Sequence, residues 1–169
     1  MAADSGWDDS RWIVSTGEQA PEVVAALLKT VPEWFGIEES NTAYVEAARQ
    51  LPTYLARPRS ELTPGAGPEP VGVLLANRHF LGAAEIHLMA VARSQHRRGV
   101  GRALVTALEH DLAADGVRLL QVKTGGPSDP DAGYAKTRLF YEAMGFEPLE
   151  ELADLWPTNP CLIMVKVLG

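Results

Sequence analysis

Apolar positions recur along this chain with two different periods, and the changes of period divide it into elements. RWIVST, at 11–16, is the short β-branched run of a strand. QAPEVVAALLKTVP then sets Val23, Val24, Leu27 and Leu28 at helical spacing, with Pro21 near the start, where a missing N–H costs nothing. EWFGIEES reads as a turn carrying exposed aromatics, and NTAYVEAARQL as a second short helix with Asn41 as its cap. PTYLAR and PVGVLLANR read as a hairpin around PRSELTPGAGPE, whose prolines and glycines predict a mobile loop. AAEIHLMAVA is the next strand. Behind it GVGRALVTALEHDLAAD carries Val100, Leu104, Leu108 and Leu112 on one helical stripe that Gly116 ends. VRLLQVKT is a strand, GGPSDPDAG a loop, YAKTRLFYEAM a helix stopped by Gly145, and CLIMVKV a last strand. Short antiparallel strands around a central strand and helix indicate an α+β, or mixed α/β, sheet without internal repeats.

Composition narrows the class. The 169 residues suit a single domain over 1–169, with 1–9 as a flexible tail. No apolar run approaches the roughly 20 residues that span a bilayer, so no membrane partner is expected. The opening MAADSGWDDSRW lacks the basic and apolar parts of a secretion signal, which predicts a cytoplasmic location. The single cysteine, Cys161, sits in an apolar strand and reads as a small hydrophobe. A net charge of −7 argues against a nucleic-acid partner. Charge is uneven, however. Asp4, Asp8, Asp9, Glu18, Glu22, Glu33, Glu38 and Glu39 gather early, while Arg93, Arg97, Arg98 and Arg102 form a basic cluster, which suggests separate surfaces for a cation and an anion.

The cluster lies in QHRRGVGRAL, between a strand and a helix, and three phosphate-binding readings compete for it. A Walker loop fails, because Arg102 follows Gly101 and His96 stands five positions before it. A dinucleotide GxGxxG has Leu104 at its third glycine position and no acidic residue about twenty positions further on. The third is an acyl-coenzyme A loop, in which N–H groups at a helix start wrap a pyrophosphate, aided by the helix dipole. Gly99 and Gly101 supply the small residues this needs, and Arg97, Arg98 and Arg102 lie close to the anion.

In these residues the chain resembles the GNAT superfamily of acetyl-CoA-dependent N-acetyltransferases, whose signature falls here on His96, Gly99 and Gly101; the histidine departs from the family's Gln or Arg. AEIHLMAV is similar to the family's central strand, and TRLFYEAMGF to its later helix with a tyrosine and a closing Gly-Phe. The resemblance implies a central, mostly antiparallel sheet flanked by about four helices, with acetyl-CoA as cofactor. It implies a cofactor site of His96, Arg97, Arg98, Gly99, Val100, Gly101 and Arg102. It also implies a strand bulge that lets Met89, Ala90 and Val91 offer main chain to the pantetheine. Direct transfer to a primary amine follows, with no metal and no covalent enzyme intermediate.

An amine attacking a thioester must first lose a proton, since its solution pKa is about 10.4. In AEIHL, strict alternation points Glu85 and His87 to one face and Ile86 and Leu88 to the other. Glu85 matches the glutamate base of the histone-acetylating branch; His87, with a type pKa of about 6.5, is the other candidate. Tyr141 matches the family tyrosine that protonates the thiolate, and otherwise reads as a core tyrosine. Tyr134 lies two turns back on the same side, while His79 and His110 read as surface positions. Trp34 and Phe35 make an acceptor wall, with Glu33, Glu38 and Glu39 attracting an ammonium, or equally a staple and an acidic turn. GGPSDPDAG and DLWPTNP, with Trp156, are further cleft edges, and exposed aromatics there equally suit a homodimer contact. A catalytically silent acyl-CoA-binding module and another kind of nucleotide-binding domain remain the competing readings.

Overall fold

The structure is a computed structural model that describes residues 11–59 and 67–169. The tail expected over 1–9, with Asp4, Asp8 and Asp9, lies outside the described residues, as does 60–66 of the loop expected to be mobile. The described elements are β1 (Trp12–Thr16), α1 (Pro21–Lys29), α2 (Glu38–Ala47), β2 (Thr53–Pro58), β3 (Gly72–Phe80) and β4 (Ala83–Val91). They continue with α3 (Val100–Ala114), β5 (Leu119–Gly125), α4 (Ala132–Ala143), β6 (Glu147–Leu152) and β7 (Cys161–Val167). The strands form one sheet in the order β1-β2-β3-β4-β5-β7-β6, antiparallel throughout except between β4 and β5. This is the α+β sheet with four helices that the pattern predicts.

The helices form where apolar spacing and end chemistry agree. Pro21 is the first residue of α1, which buries Val24, Leu27 and Leu28. α3 buries Val100, Leu104, Leu108 and Leu112 along the stripe read from the sequence. Asp131 caps α4, its Oδ1 accepting the Tyr134 N–H at 3.0 Å. α2 departs from expectation: it begins at Glu38, with Ile37 at the cap position. Glu38 and Glu39 fill its first turn, where carboxylates favour the helix dipole. Asn41 is therefore not the cap; its Nδ2 donates to Phe35 O at 2.8 Å, tying the preceding turn to the helix.

Each face of the sheet carries its own apolar layer. Under α3 and α4 lie Trp12, Leu74, Ile86, Leu104, Leu120, Tyr141 and Met164; on the opposite face α1 and α2 cover Leu55, Val73, Leu75, Leu88 and Ala90. β4 contributes to both layers, and this needs a break in its alternation. Leu75 of β3 pairs with Leu88, but the next residue, Ala76, pairs with Ile86, so His87 is an extra residue. Ile86 and Leu88 consequently face opposite sides, where strict alternation put them on the same one. The bulge expected over 89–91 thus sits at His87, and Met89, Ala90 and Val91 pair regularly with Leu74, Val73 and Gly72.

The parallel β4–β5 pairing is short. It runs from Ala83–Leu119 to Ile86–Val122 and stops, while β4 continues to Val91 and β5 to Gly125. The two strands enclose a V whose vertex is near Ile86 and whose arms have no ladder partner on their inner sides among the described residues.

Candidate active site

A turn rich in arginine closes the open end of the V. After β4 the chain makes a 3-10 turn over Arg93–Gln95, extends at His96, and takes the left-handed conformation at Arg97 (φ 61°) and Gly99 (φ 85°) before entering α3. The helical ladder begins with Ala103 N–H donating to Gly99 O at 3.0 Å, and no side chain caps the helix. Among the described residues, the N–H groups of Val100 and Gly101 are therefore left over at the positive end of the helix dipole. Gly99 needs to be glycine for its φ. At Gly101 a Cβ would stand 3.2 Å from the Phe140 ring and 3.6 Å from the Met89 side chain. The residues fit an anionic phosphate group held by main chain. Arg97 and Arg98 are exposed beside the turn, and Arg102 is half-buried.

Two side chains hold the turn in shape. Trp12 Nε1 donates to Arg98 O at 2.8 Å, and His96 Nε2 donates to Val91 O at 2.9 Å. The His96 main-chain N–H is itself bonded to Arg93 O, so this residue braces the turn with both its ring and its backbone. Trp12→Phe keeps an aromatic ring but removes the donor and part of the buried indole. It is expected to lower unfolding free energy by about 1 kcal/mol, seen in a melting curve as a Tm lower by about 2–4 °C.

The main chain of β4 aims into the V at alternate residues. Ala92 N–H donates to Val71 O, which fixes Ala90 and Leu88 as the residues bonded to β3 and turns the N–H and C=O of Met89 and Val91 away from it. Val91 O is occupied by His96, leaving the Met89 groups and the Val91 N–H facing the gap. Ala90 differs from its neighbours here, since its polar groups belong to the β3 ladder and its side chain is buried against the α1 layer.

At the vertex sits Glu85, 5% exposed. Lys123 Nζ donates to its Oε1 at 2.9 Å, and His79 Nε2 lies 2.5 Å from its Oε2. A carboxylate only accepts, so the His79 Nε2 carries the proton. Burial acts to raise the carboxyl pKa, but the hydrogen bonds from His79 and Lys123 outweigh it and hold the group below the ordinary carboxylate range. His87 is half-buried, its ring edge-on to Tyr44 at 5.6 Å; burial lowers its pKa, which keeps the imidazole neutral at pH 7. Sequence reading missed both partners of Glu85. His79 is exposed, as expected, yet its ring reaches Glu85, and the register shift between Arg78 and Phe80 leaves it without a β4 partner. Lys123 had a visible signal, standing with Gln121 at the half-buried positions of a strand that buries Leu120, Val122 and Thr124.

Tyr141 is 4% exposed, packed edge-on against Phe140 and Phe146 in the layer under α3 and α4. Burial holds its phenol well above the ordinary tyrosine range, and its hydroxyl forms no hydrogen bond among the described residues. Tyr134 lies at the mouth of the V, its ring so close to Gly125 that a Cβ there would come within 2.5 Å, and its hydroxyl donates to Trp34 O at 3.3 Å. Trp34 stands edge-on to His96 at 5.8 Å, and Phe35 edge-on to Tyr44 at 5.9 Å. The acidic wall is partly neutralised: Glu33 is ion-paired with Arg93, and its own main-chain N–H together with that arginine lowers its carboxyl pKa. Glu38 and Glu39 are exposed on α2, Trp156 is half-buried in the β6–β7 connection, and His110 is exposed as expected.

Known proteins share this arrangement. Residues 66–148 match the family described as the acetyltransferase (GNAT) domain. Comparison with curated proteins gave no significant match. Among solved structures, a protein of the GNAT family from Desulfovibrio desulfuricans superposes with a TM-score of 0.75 at 21% identity, over 93% of this chain and 100% of that one. The ribosomal-protein-S18-alanine N-acetyltransferase of Escherichia coli gives 0.68 at 19% identity, over 94% of each chain. A GNAT family acetyltransferase of Elizabethkingia anophelis, with acetyl-CoA bound, gives 0.69 at 15%, over 94% of this chain and 99% of that one. No described helix is long and apolar enough to cross a membrane. Family match and strand order agree: residues 66–148 carry the acetyltransferase (GNAT) domain, and the described chain takes the fold of solved GNAT acetyltransferases.

Proposed function

We propose that the protein transfers the acetyl group of acetyl-CoA directly to a primary amine, with Glu85 as general base and Tyr141 as general acid. The observation that carries the proposal is a buried carboxylate at the vertex of a V whose open end has unpaired helix-start N–H groups. Bound acetyl-CoA supplies the thioester carbon that the amine attacks. The Val100 and Gly101 N–H groups hold its diphosphate, with Arg97, Arg98 and Arg102 beside them. Met89 and Val91 offer main-chain hydrogen bonds to the arm that reaches into the gap. Glu85, ionised at neutral pH, takes the proton that the amine gives up, and the Tyr141 hydroxyl delivers one to the departing sulfur. The acetyl-CoA-bound relative with the same fold supports this choice of cofactor. The alanine acetyltransferase of the same fold supports an amine acceptor. Trp34, Phe35 and Tyr44 give the acceptor an aromatic wall.

A second reading, a catalytically silent acyl-CoA-binding module, is favoured by the enclosure of Tyr141 and by the engagement of both Glu85 oxygens. Both readings predict cofactor binding, and turnover separates them. In a thermal-shift comparison, acetyl-CoA and coenzyme A at about 100 times Kd are expected to stabilise the protein by about 2.7 kcal/mol, whereas ATP and NAD leave Tm unchanged. Thiol release with a panel of primary amines then reports transfer. No shift with either coenzyme form sinks both readings; a shift without thiol release favours the silent module.

A further inference from the structure

Glu85 is laced to the strands on both sides of it. His79 comes from β3 and Lys123 from β5, so one carboxylate joins three adjacent strands at the level of the last β4–β5 pair. The place of Lys123 matters. Ile86–Val122 is the final pair, which makes Lys123 the first residue of β5 beyond it, on the same face as Gln121, the register partner of Glu85. Its ammonium reaches back across the vertex to Oε1, while its own side chain is 31% exposed and that of His79 is 40% exposed. The carboxylate they share is buried. A carboxylate enclosed to this degree persists as an anion only when opposite charge or hydrogen-bond donors face it.

We infer that Lys123 and His79 are positioning residues for this reaction, holding the Glu85 carboxylate ionised and fixed at the vertex of the V and thereby setting the lower pH limit of turnover. Neither touches the reacting atoms. The groups that face Glu85 or feel its charge are His79 from β3, His87 on its own strand, Gln121 and Lys123 from β5, Tyr44 from α2 and Cys161 from β7. Lys123 brings its ammonium to within 2.9 Å of Oε1, and its removal is the decisive change. The inference rests on the proposed role of Glu85 as base, and the test separates the two.

The Glu85 side-chain carboxyl is followed by carbon NMR as a function of pH in the unliganded protein, in wild type, Lys123→Met, Lys123→Arg and His79→Gln. Removing an opposite charge this close is expected to raise the titration midpoint by about one pH unit in Lys123→Met. Lys123→Arg restores it, and His79→Gln gives a smaller rise. An unchanged midpoint in Lys123→Met overturns the inference, and a melting curve for each variant identifies any that is unfolded. The acid limb of kcat/KM is then expected to move to higher pH by the same amount. A shifted NMR midpoint with an unmoved limb removes Glu85 as the base and overturns the part of the inference that gives Lys123 and His79 the lower pH limit of turnover.

Discussion

Glu85→Gln is expected to lower kcat about 100- to 10,000-fold, the range that a positioned general base contributes, while coenzyme A binding is unchanged. Glutamine keeps the shape and one acceptor oxygen but has no lone pair basic enough to take the amine proton. Steady-state thiol release and calorimetric coenzyme A binding together check this. The variant also carries a stability signature. Because the folded-state pKa of Glu85 is lowered, its ionised form adds stability that is fully present above the unfolded-state pKa and is lost as pH falls through the folded value. Glutamine does not titrate, so wild type loses its advantage over the variant on acidification below the ordinary carboxylate range. A fall in kcat of less than tenfold would transfer the role to His87, whose neutral imidazole lies on the same side of β4 beside Tyr44.

Tyr141→Phe is expected to lower kcat by about 100-fold, the lower end for a general acid, with KM for the amine and Tm nearly unchanged. The ring that packs between Phe140 and Phe146 is retained, and the hydroxyl removed has no protein partner among the described residues. Loss of kcat without loss of affinity is the mark of an interaction made only in the transition state. Burial holds the phenol protonated far above neutral pH, so its contribution is expected to be flat from pH 6 to 9. An unchanged kcat would leave Tyr141 as a core residue only. The two variants answer different questions, the first about removal of a proton from the acceptor and the second about its delivery to the leaving group.

What was legible in the sequence followed from local rules. The α3 stripe, the proline at the start of α1 and the two glycines of the turn each act through neighbours three or four residues away, and each element appears where its pattern placed it. β6 escaped because EPLEEL is exposed or half-buried throughout and shows no alternation; it exists as an edge strand because β7 offers it a ladder. Asn41 was misplaced because a helix start set by Glu38 and Glu39 outranked a good capping residue three positions on. At the candidate site, alternation and resemblance singled out Glu85, Gly99 and Gly101, but the partners of Glu85 are 6 and 38 residues away along the chain and meet it only across strands. The bulge at His87 has no sequence signal of its own. It is required by the pairing of β4 with β3 and by two apolar layers that claim different phases of one strand.

That change of phase makes β4 a mechanical junction. Ile86 is clamped in the layer beneath α3, and only two residues later Leu88 is clamped beneath α1, whose following loop carries Trp34 and Phe35. Between them the extra residue puts His87 at the vertex. The same loop is fastened to the helix-start turn by the Glu33–Arg93 ion pair and by the Trp34–His96 contact. The aromatic loop and the helix-start turn are therefore joined twice, once through the spine of a strand and once across the surface. Across the gap, α4 is tied to the same loop as well, through the Tyr134 hydroxyl on Trp34 O.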